Sequence, residues 1–465
     1  MVDQLAEHLY EFWLRFRACF TTRTRDSSER AYDYLRGQLT MDSRRNFANI
    51  ERNMTGNDGQ ALQHFMSNSP WSGQEVLRQI QDEIKATEAL VEESVLILDE
   101  SADEKAGMHN AGASRQYNGR MGKVDVCRVD TCLCYANTKV GLWAMVDGEL
   151  FLPEEWFGEE FAQRREVLGI PEDRNFETKI ELGLKMIKRA KANGLPFEVL
   201  ACDAFYGRDA QFRADLDVEG VLYAAQVPAD TQVYLSEPKV GVPHKRSNRG
   251  RTPSRLVVLS DDEPHEVREL ARSPQALWQR VRVRHTERGY LEADFAVMRV
   301  WTVAEGKMPC AEWLVIRADG DHWYTLLSSS TPQQHLISYS CQRYFCERTF
   351  QDGKTEIGWD EFQAQKYRAW EHHLALTALA LWFAAQTKLE WTQSYERDPE
   401  LAEQLAVEVL PALSTANVRE LLKAVLPLPQ LTPRQATQLV VTHLVNRARS
   451  TSSRLRSQMN PIDSS

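Results

Sequence analysis

From Val95 to Leu98 four apolar β-formers follow one another, and the run stops on a carboxylate, Asp99. An unbroken apolar run of this length reads as a strand buried on both faces, with charge pushed to its end because an unpaired buried carboxylate is costly. Before residue 90 the pattern is different. "LAEHLYEFWLRFRACF" and "SGQEVLRQIQDEIKATEALVEES" place apolar residues at a spacing near 3.6 and predict helices, the second with Ser72 at its cap. After Asp99, "VCRVDTCLCYA" and "VGLWAMVDGELF" predict two further strands joined by the turn "NTK". A helix, "NFETKIELGLKMIKRAKANG", ends at Gly194, and a second buried strand, "FEVLACD", again ends on an acid, Asp203. "DAQFRADLDVEG" predicts a helix and "VLYAAQV" a strand.

Three strands in an antiparallel meander, then helix, strand, helix and strand, make the α/β order of a ribonuclease H-like fold. Its first and fourth strands are neighbours, so the order predicts that Asp99 and Asp203 stand together. One strand-end acid means little, since a strand leaving the core ends that way anyway. From about 227 to 330 the texture is β-rich, with Trp313 and Trp323 read as the core of an insertion. Helical texture then returns. The expected organisation is a helical N-terminal region for DNA binding or assembly (1–90), a first core segment (91–226), a β-rich insertion (227–330), a last core segment (331–391) and a helical C-terminal region with a basic tail (392–465).

Composition changes this picture in three places. A net charge of −10 does not announce a nucleic-acid binder, but affinity for DNA depends on local basic surface, and "HKRSNRGRTPSR" from His244 to Arg255 and the tail "NRARSTSSRLRSQ" supply it. The eight cysteines include no Cys-x-x-Cys pair, so reduced, structural thiols are expected, with Cys132 and Cys134 as core residues. The N-terminus lacks the basic region of a signal peptide, and "LALTALALWFAAQ" is too short for a membrane span; it reads as a buried helix in a cytoplasmic protein.

Arg343, Glu347, Phe350 and Lys354 fall on one stripe of a helix, at offsets of four, seven and eleven. Such a stripe is commonly a solvent face stabilised by Arg-Glu pairing. Glu356 and Glu361 also follow the insertion, and Gly353 and Gly358 interrupt the helix, so geometry on its own leaves the third acid open. The Arg343, Glu347 and Lys354 spacing fits the Y-x2-R-x3-E-x6-K signature, with Ser340 in place of the Tyr. With "LILDES", "SRQYNGRMGKVDVC", "LFLPEEWF", "ACDAFYGRD" and "YAAQVPADT" in order, the chain resembles the DDE-type insertion-sequence transposases, Tyr-Arg-Glu-Lys branch.

The resemblance implies Asp99, Asp203 and Glu347 as catalytic metal ligands for two Mg2+ ions, with Mn2+ as a substitute, and Arg343 and Lys354 as phosphate contacts. It also implies double-stranded DNA, both terminal inverted repeats and target, as partner, a homo-oligomer on paired ends, and nucleoid association when bound. Lys245, Arg246, Arg249 and Arg251 are expected on the DNA backbone. Two rival readings remain: a DNA-binding protein of the same fold without catalysis, and a nuclease that cuts without transferring ends.

Overall fold

A computed structural model of the chain describes residues 4–55, 60–105, 107–119, 121–244, 254–286, 289–395 and 412–427, with isolated positions between 400 and 452. The basic loop positions Lys245, Arg246, Arg249 and Arg251 lie outside the described residues, as does most of the basic tail.

One ten-stranded sheet organises the molecule. Its strands are β1 (Ser94–Glu104), β2 (Ser114–Asn118), β3 (Lys123–Asn137), β4 (Leu142–Leu150), β5 (Val199–Cys202), β6 (Tyr223–Val227), β7 (Gln279–Thr286), β8 (Gly289–Thr302), β9 (Cys310–Asp319) and β10 (Asp321–Ser328). The spatial order is β7-β8-β9-β10-β6-β5-β1-β3-β2, with β4 also on β3. β1, β3 and β4 form the antiparallel meander expected from the sequence, while β5 runs parallel to β1 and β6 parallel to β5. This mixed α/β sheet is compatible with a ribonuclease H-like core. The four long strands after residue 227 continue this sheet, because β10 pairs antiparallel with β6 and carries β9, β8 and β7 outward; two-residue strands of the same segment pair separately, Gln232–Val233 with His265–Glu266 and Val240–Gly241 with Val257–Val258.

Helices cover both faces. Those that bear on the site and core are, in chain order, α1 (Leu5–Phe16), α2 (Ser28–Thr40), α3 (Phe47–Thr55), α4 (Gln60–Asn68), α5 (Gly73–Ala86), α6 (Lys179–Ala192), α7 (Ala204–Gly207), α8 (Ala210–Val218), α9 (Tyr344–Gln351), α10 (Tyr367–Tyr395) and α11 (Thr415–Val425), with short helices at Ala162–Leu168, Val267–Leu270 and Leu336–Ser340 besides. Thr178 and Glu181 form a capping box that starts α6, and Gly194 follows its end at φ 74°. α6 lies close on β1: a Cβ at Gly183 would come within 2.6 Å of Leu98. On the other face α9 lies on β1 and β3, and its Phe345 and Cys346 belong to one apolar cluster with Val95 and Ile97 of β1 and Phe295 of β8.

α10 contains the apolar run read as a buried helix and is buried through most of its length. It docks on β4, where Gly148 leaves room for Leu374, and the same apolar cluster continues through α1, α2 and α5. The N-terminal helices therefore share a core with the sheet. Glu83 of α5 ties three elements together, accepting from Arg15 at 2.7 Å, Trp382 at 2.7 Å and Gln386 at 3.0 Å. All eight cysteines are free, and Cys132 and Cys134 are core residues as expected. Trp323 departs from expectation: it is 43% exposed, because β10 begins beside the hairpin turn and its first residues project past the packed face.

His373 of α10 fixes its own tautomer. The Trp359 carbonyl can only accept, so the ring proton is on Nε2 at 2.9 Å, and Nδ1 accepts from the Tyr34 hydroxyl at 2.9 Å. Burial pushes this imidazole down to about 3. The unfolded chain therefore takes the proton first, and stability falls as pH drops from about 6.5 toward 3. Urea unfolding of wild type and His373→Gln across that range measures the effect; the variant is expected to show the shallower acid loss.

Candidate active site

β1 and β5 are in parallel register from Val95 opposite Val199 to Leu98 opposite Cys202, so the next residues, Asp99 and Asp203, stand at the same level; Asp203 follows the end of β5, whereas β1 runs on to Glu104 because its pairing with β3 continues, so Asp99 lies within its strand and not at the end expected from the sequence. This is the juxtaposition that the strand order predicts. Asp203 ends its strand and caps α7, its Oδ1 accepting from the amides of Phe205 at 3.0 Å and Tyr206 at 3.3 Å. Asp99 is 8% exposed, and burial pushes its carboxyl up to about 7. Arg343 opposes that shift and Asp203 reinforces it.

Arg343 stands at the N-cap of α9, and its guanidinium joins two acids: Nη2 lies 3.2 Å from Asp99 and Nη1 lies 3.0 Å from Glu347. Burial works against the charge on Arg343, yet its pKa is raised, because the carboxylates of Asp99, Glu347 and Asp203 outweigh burial. Glu347 itself is largely exposed, with 57% of its side chain open. Among the described residues no group of three His, Cys, Asp or Glu side chains stands close enough to hold a metal ion. The three acids thus converge through Arg343 rather than on a common point.

Lys354 is reached differently from expectation. The α-helix ends at Gln351, and Asp352–Ile357 widens into a π-helix, so the uniform stripe of 100° per residue stops short of Lys354. Its Nζ lies 3.4 Å from the Ala102 carbonyl on β1 and 5.6 Å from the Trp359 ring. The other two candidate acids are tied elsewhere. Glu356 accepts from Arg419 of α11 at 2.9 Å, and Glu361 pairs with the buried Arg45 at 3.2 Å. Ser340 donates to the Ile337 carbonyl at 2.7 Å, and Tyr339 is buried with its hydroxyl on Glu198.

A family model described as DDE superfamily endonuclease matches residues 15–290, more than half of the chain. The chain belongs to that family. A probable transposase for insertion sequence element IS701 from Microchaete diplosiphon is 27% identical over 207 residues, which are 44% of this chain and 50% of the relative. The chain thus spans about half the length of that curated relative. Among the described residues no helix is long and apolar enough to cross a membrane. In this DDE superfamily endonuclease the match includes Asp99 and Asp203 and ends before Glu347.

Sequence reasoning missed the ion-pair partners around these acids. Glu100 points to the opposite face of β1 from Asp99 and is paired with Lys179 at the start of α6. Asp103 pairs with Lys105 and, at 3.3 Å, with Arg128. Most important is Arg213 of α8, fully buried, which donates to the carbonyl of Gly207 at the end of the turn capped by Asp203. Arg213 is itself held by Glu312 of β9 at 2.8 Å and 3.3 Å, and Glu312 also accepts from Tyr223 at 2.7 Å. The strands beyond β6 therefore help to fix Asp203. Only the buried-charge rule, applied to Glu312 in "CAEWLVI", hints at this pair in the sequence.

Gly207 packs so tightly against β6 that a Cβ would fall 1.9 Å from the Gln226 carbonyl oxygen. Gly207→Ala must displace the turn or the strand, and overpacking of this kind costs about 1–3 kcal/mol. Urea unfolding is expected to show that loss in this endonuclease. An unchanged midpoint would mean the turn is not pinned.

Proposed function

We propose that the chain is a transposase that binds the terminal inverted repeats of an insertion sequence, cuts at the ends and joins them to target DNA. The observation that carries this reading is the arrangement of Asp99 and Asp203 side by side on the adjacent strands β1 and β5, with Arg343 linking Asp99 to Glu347. Endonucleases of this family depend on divalent metal. The donor set fits a hard cation, since all three groups are carboxylates and no thiol or imidazole stands among them. The buried Asp99, pushed up to about 7, is a carboxylate whose negative form needs positive charge beside it.

Asp99, Asp203 and Glu347 would hold two Mg2+ ions, with Mn2+ as a substitute. Bound there, the metal would activate the nucleophile and neutralise charge on the phosphoryl oxygens. The protein's own residues have separate tasks. Arg343 and Lys354 contact phosphate oxygens, Arg343 with the bidentate fork of a guanidinium. The basic loop with Lys245, Arg246, Arg249 and Arg251 binds the DNA backbone, and a homo-oligomer brings two ends together because each core carries one set of acids.

Glu347→Gln keeps the shape of the side chain and removes its charge. Mg2+-dependent nicking of a labelled transposon end is expected to collapse in this variant while DNA binding persists, and Glu356→Gln is expected to cut nearly as wild type does. The reverse ranking would overturn the assignment of Glu347. A wild-type protein that binds ends and never cuts them would favour the non-catalytic reading, and cutting without joining would favour a nuclease.

A further inference from the structure

The edge strand β7 carries three arginines at alternate positions, Arg280, Arg282 and Arg284. In a regular strand all three would point to the same face. Arg280 and Arg282 do so, pairing across to Asp294 at 3.6 Å and Glu292 at 2.6 Å on β8. Between Arg282 and Arg284 the register shifts, so that Arg282 faces Glu292 and Arg284 faces Leu291. This bulge turns Arg284 onto the face where Leu291, Phe295 and α9 pack.

There the Arg284 guanidinium lies 3.9 Å from the centroid of the Tyr344 ring and 5.5 Å from that of Phe345. Tyr344 follows Arg343 directly. Arg317 of β9 reaches the same place, since Arg317 and Arg284 both act on the thiol of Cys341, two residues before Arg343. Arg317 pairs with Asp319 at 2.6 Å. Arg284, Arg317 and Arg343 each keep a buried Nε–H with no acceptor among the described residues, as do Arg36, Arg128 and Arg174 elsewhere in the fold. A buried donor without an acceptor costs free energy until one is supplied. Arg284 and Arg317 thus stand beside the start of the helix that bears Arg343 and Glu347, and all three side chains are partly open to solvent, so the outer edges of their guanidinium groups suit phosphate oxygens.

We propose that Arg284 and Arg317 extend the candidate active site into a phosphate-binding row that takes the DNA backbone beside the position to be cut, a proposal that rests on the DNA-cutting reading above. The bulge is what recruits Arg284 to this task, and its neighbours on the strand stay on the other face. Stacking on Tyr344 holds the planar guanidinium in place, leaving its edge for phosphate oxygens.

Contacts to phosphate are independent of sequence, so a fluorescein-labelled random-sequence duplex is a sufficient probe. Fluorescence anisotropy titrations of the full chain over a series of salt concentrations give the slope of log affinity against log salt. For Arg284→Gln the slope is expected to flatten by about 0.9, the value for one lost phosphate contact, with weaker binding at every salt concentration. Arg284→Lys keeps the charge and is expected to retain most of the slope. Arg282→Gln, on the same strand and opposite face, is expected to match wild type.

Melting curves establish that each variant is folded, and if Arg284→Gln does not fold, the Arg284→Lys slope carries the test. A wild-type slope in Arg284→Gln, an equal loss in Arg282→Gln, or an Arg284→Lys slope reduced by the full 0.9 unit would overturn the proposal while leaving the DNA reading intact. A wild-type chain without salt-dependent DNA binding would overturn both.

Discussion

A carboxylate buried within a strand has to find positive charge or stay protonated, and Asp99 finds it in Arg343. That contact sets several other features. It draws the N-terminus of α9 down onto the sheet, and with it Glu347, which Arg343 holds on its second arm. It places Phe345 and Cys346 against the apolar residues just below Asp99. Segments nearly 250 residues apart in the chain are thus joined at one guanidinium.

The apolar runs made the central strands legible, because a strand buried on both faces leaves no ambiguity about where its charge begins. Val95 to Asp99 and Val199 to Asp203 could be read in this way, and the order of elements placed them side by side. Several helices were legible for the complementary reason, a period near 3.6, and in α6 also by the glycine at its end, Gly194. How the strands after residue 227 join the rest was not. Edge pairing between β10 and β6 is made by backbone groups, which carry no residue signature.

The candidate site was legible only where it depends on the order of the strands. Asp99 and Asp203 needed nothing more than the topology, and Glu347 needed the spacing to Arg343. Lys354 was placed on a uniform helix, whereas the backbone widens at Asp352, a change that no residue type announces. Arg213 and Glu312 are 99 residues apart, and a long-range ion pair leaves no local pattern. Arg284 is the clearest case: alternation alone assigns it to the face of Arg282, and one extra residue in the strand reverses that assignment. Trp323 shows the same limit from the other side, since its aromatic character suggested core and its place beside a hairpin turn left it open.

The continuity of the sheet has a geometric consequence. Neighbouring strands are rotated by about 20–25°, and six steps separate β1 from β7, so their directions differ by roughly 120–150°. A surface that turns so far cannot stay flat. Its α9 face curves as a trough round the helix, which lies on β1 and meets β7 where Arg284 stacks on Tyr344. The orientation of Glu347 is then governed by the accumulated pitch of the sheet. Removing a hairpin from the outer strands would open the trough and tilt the helix, even though no residue near the carboxylates had been altered.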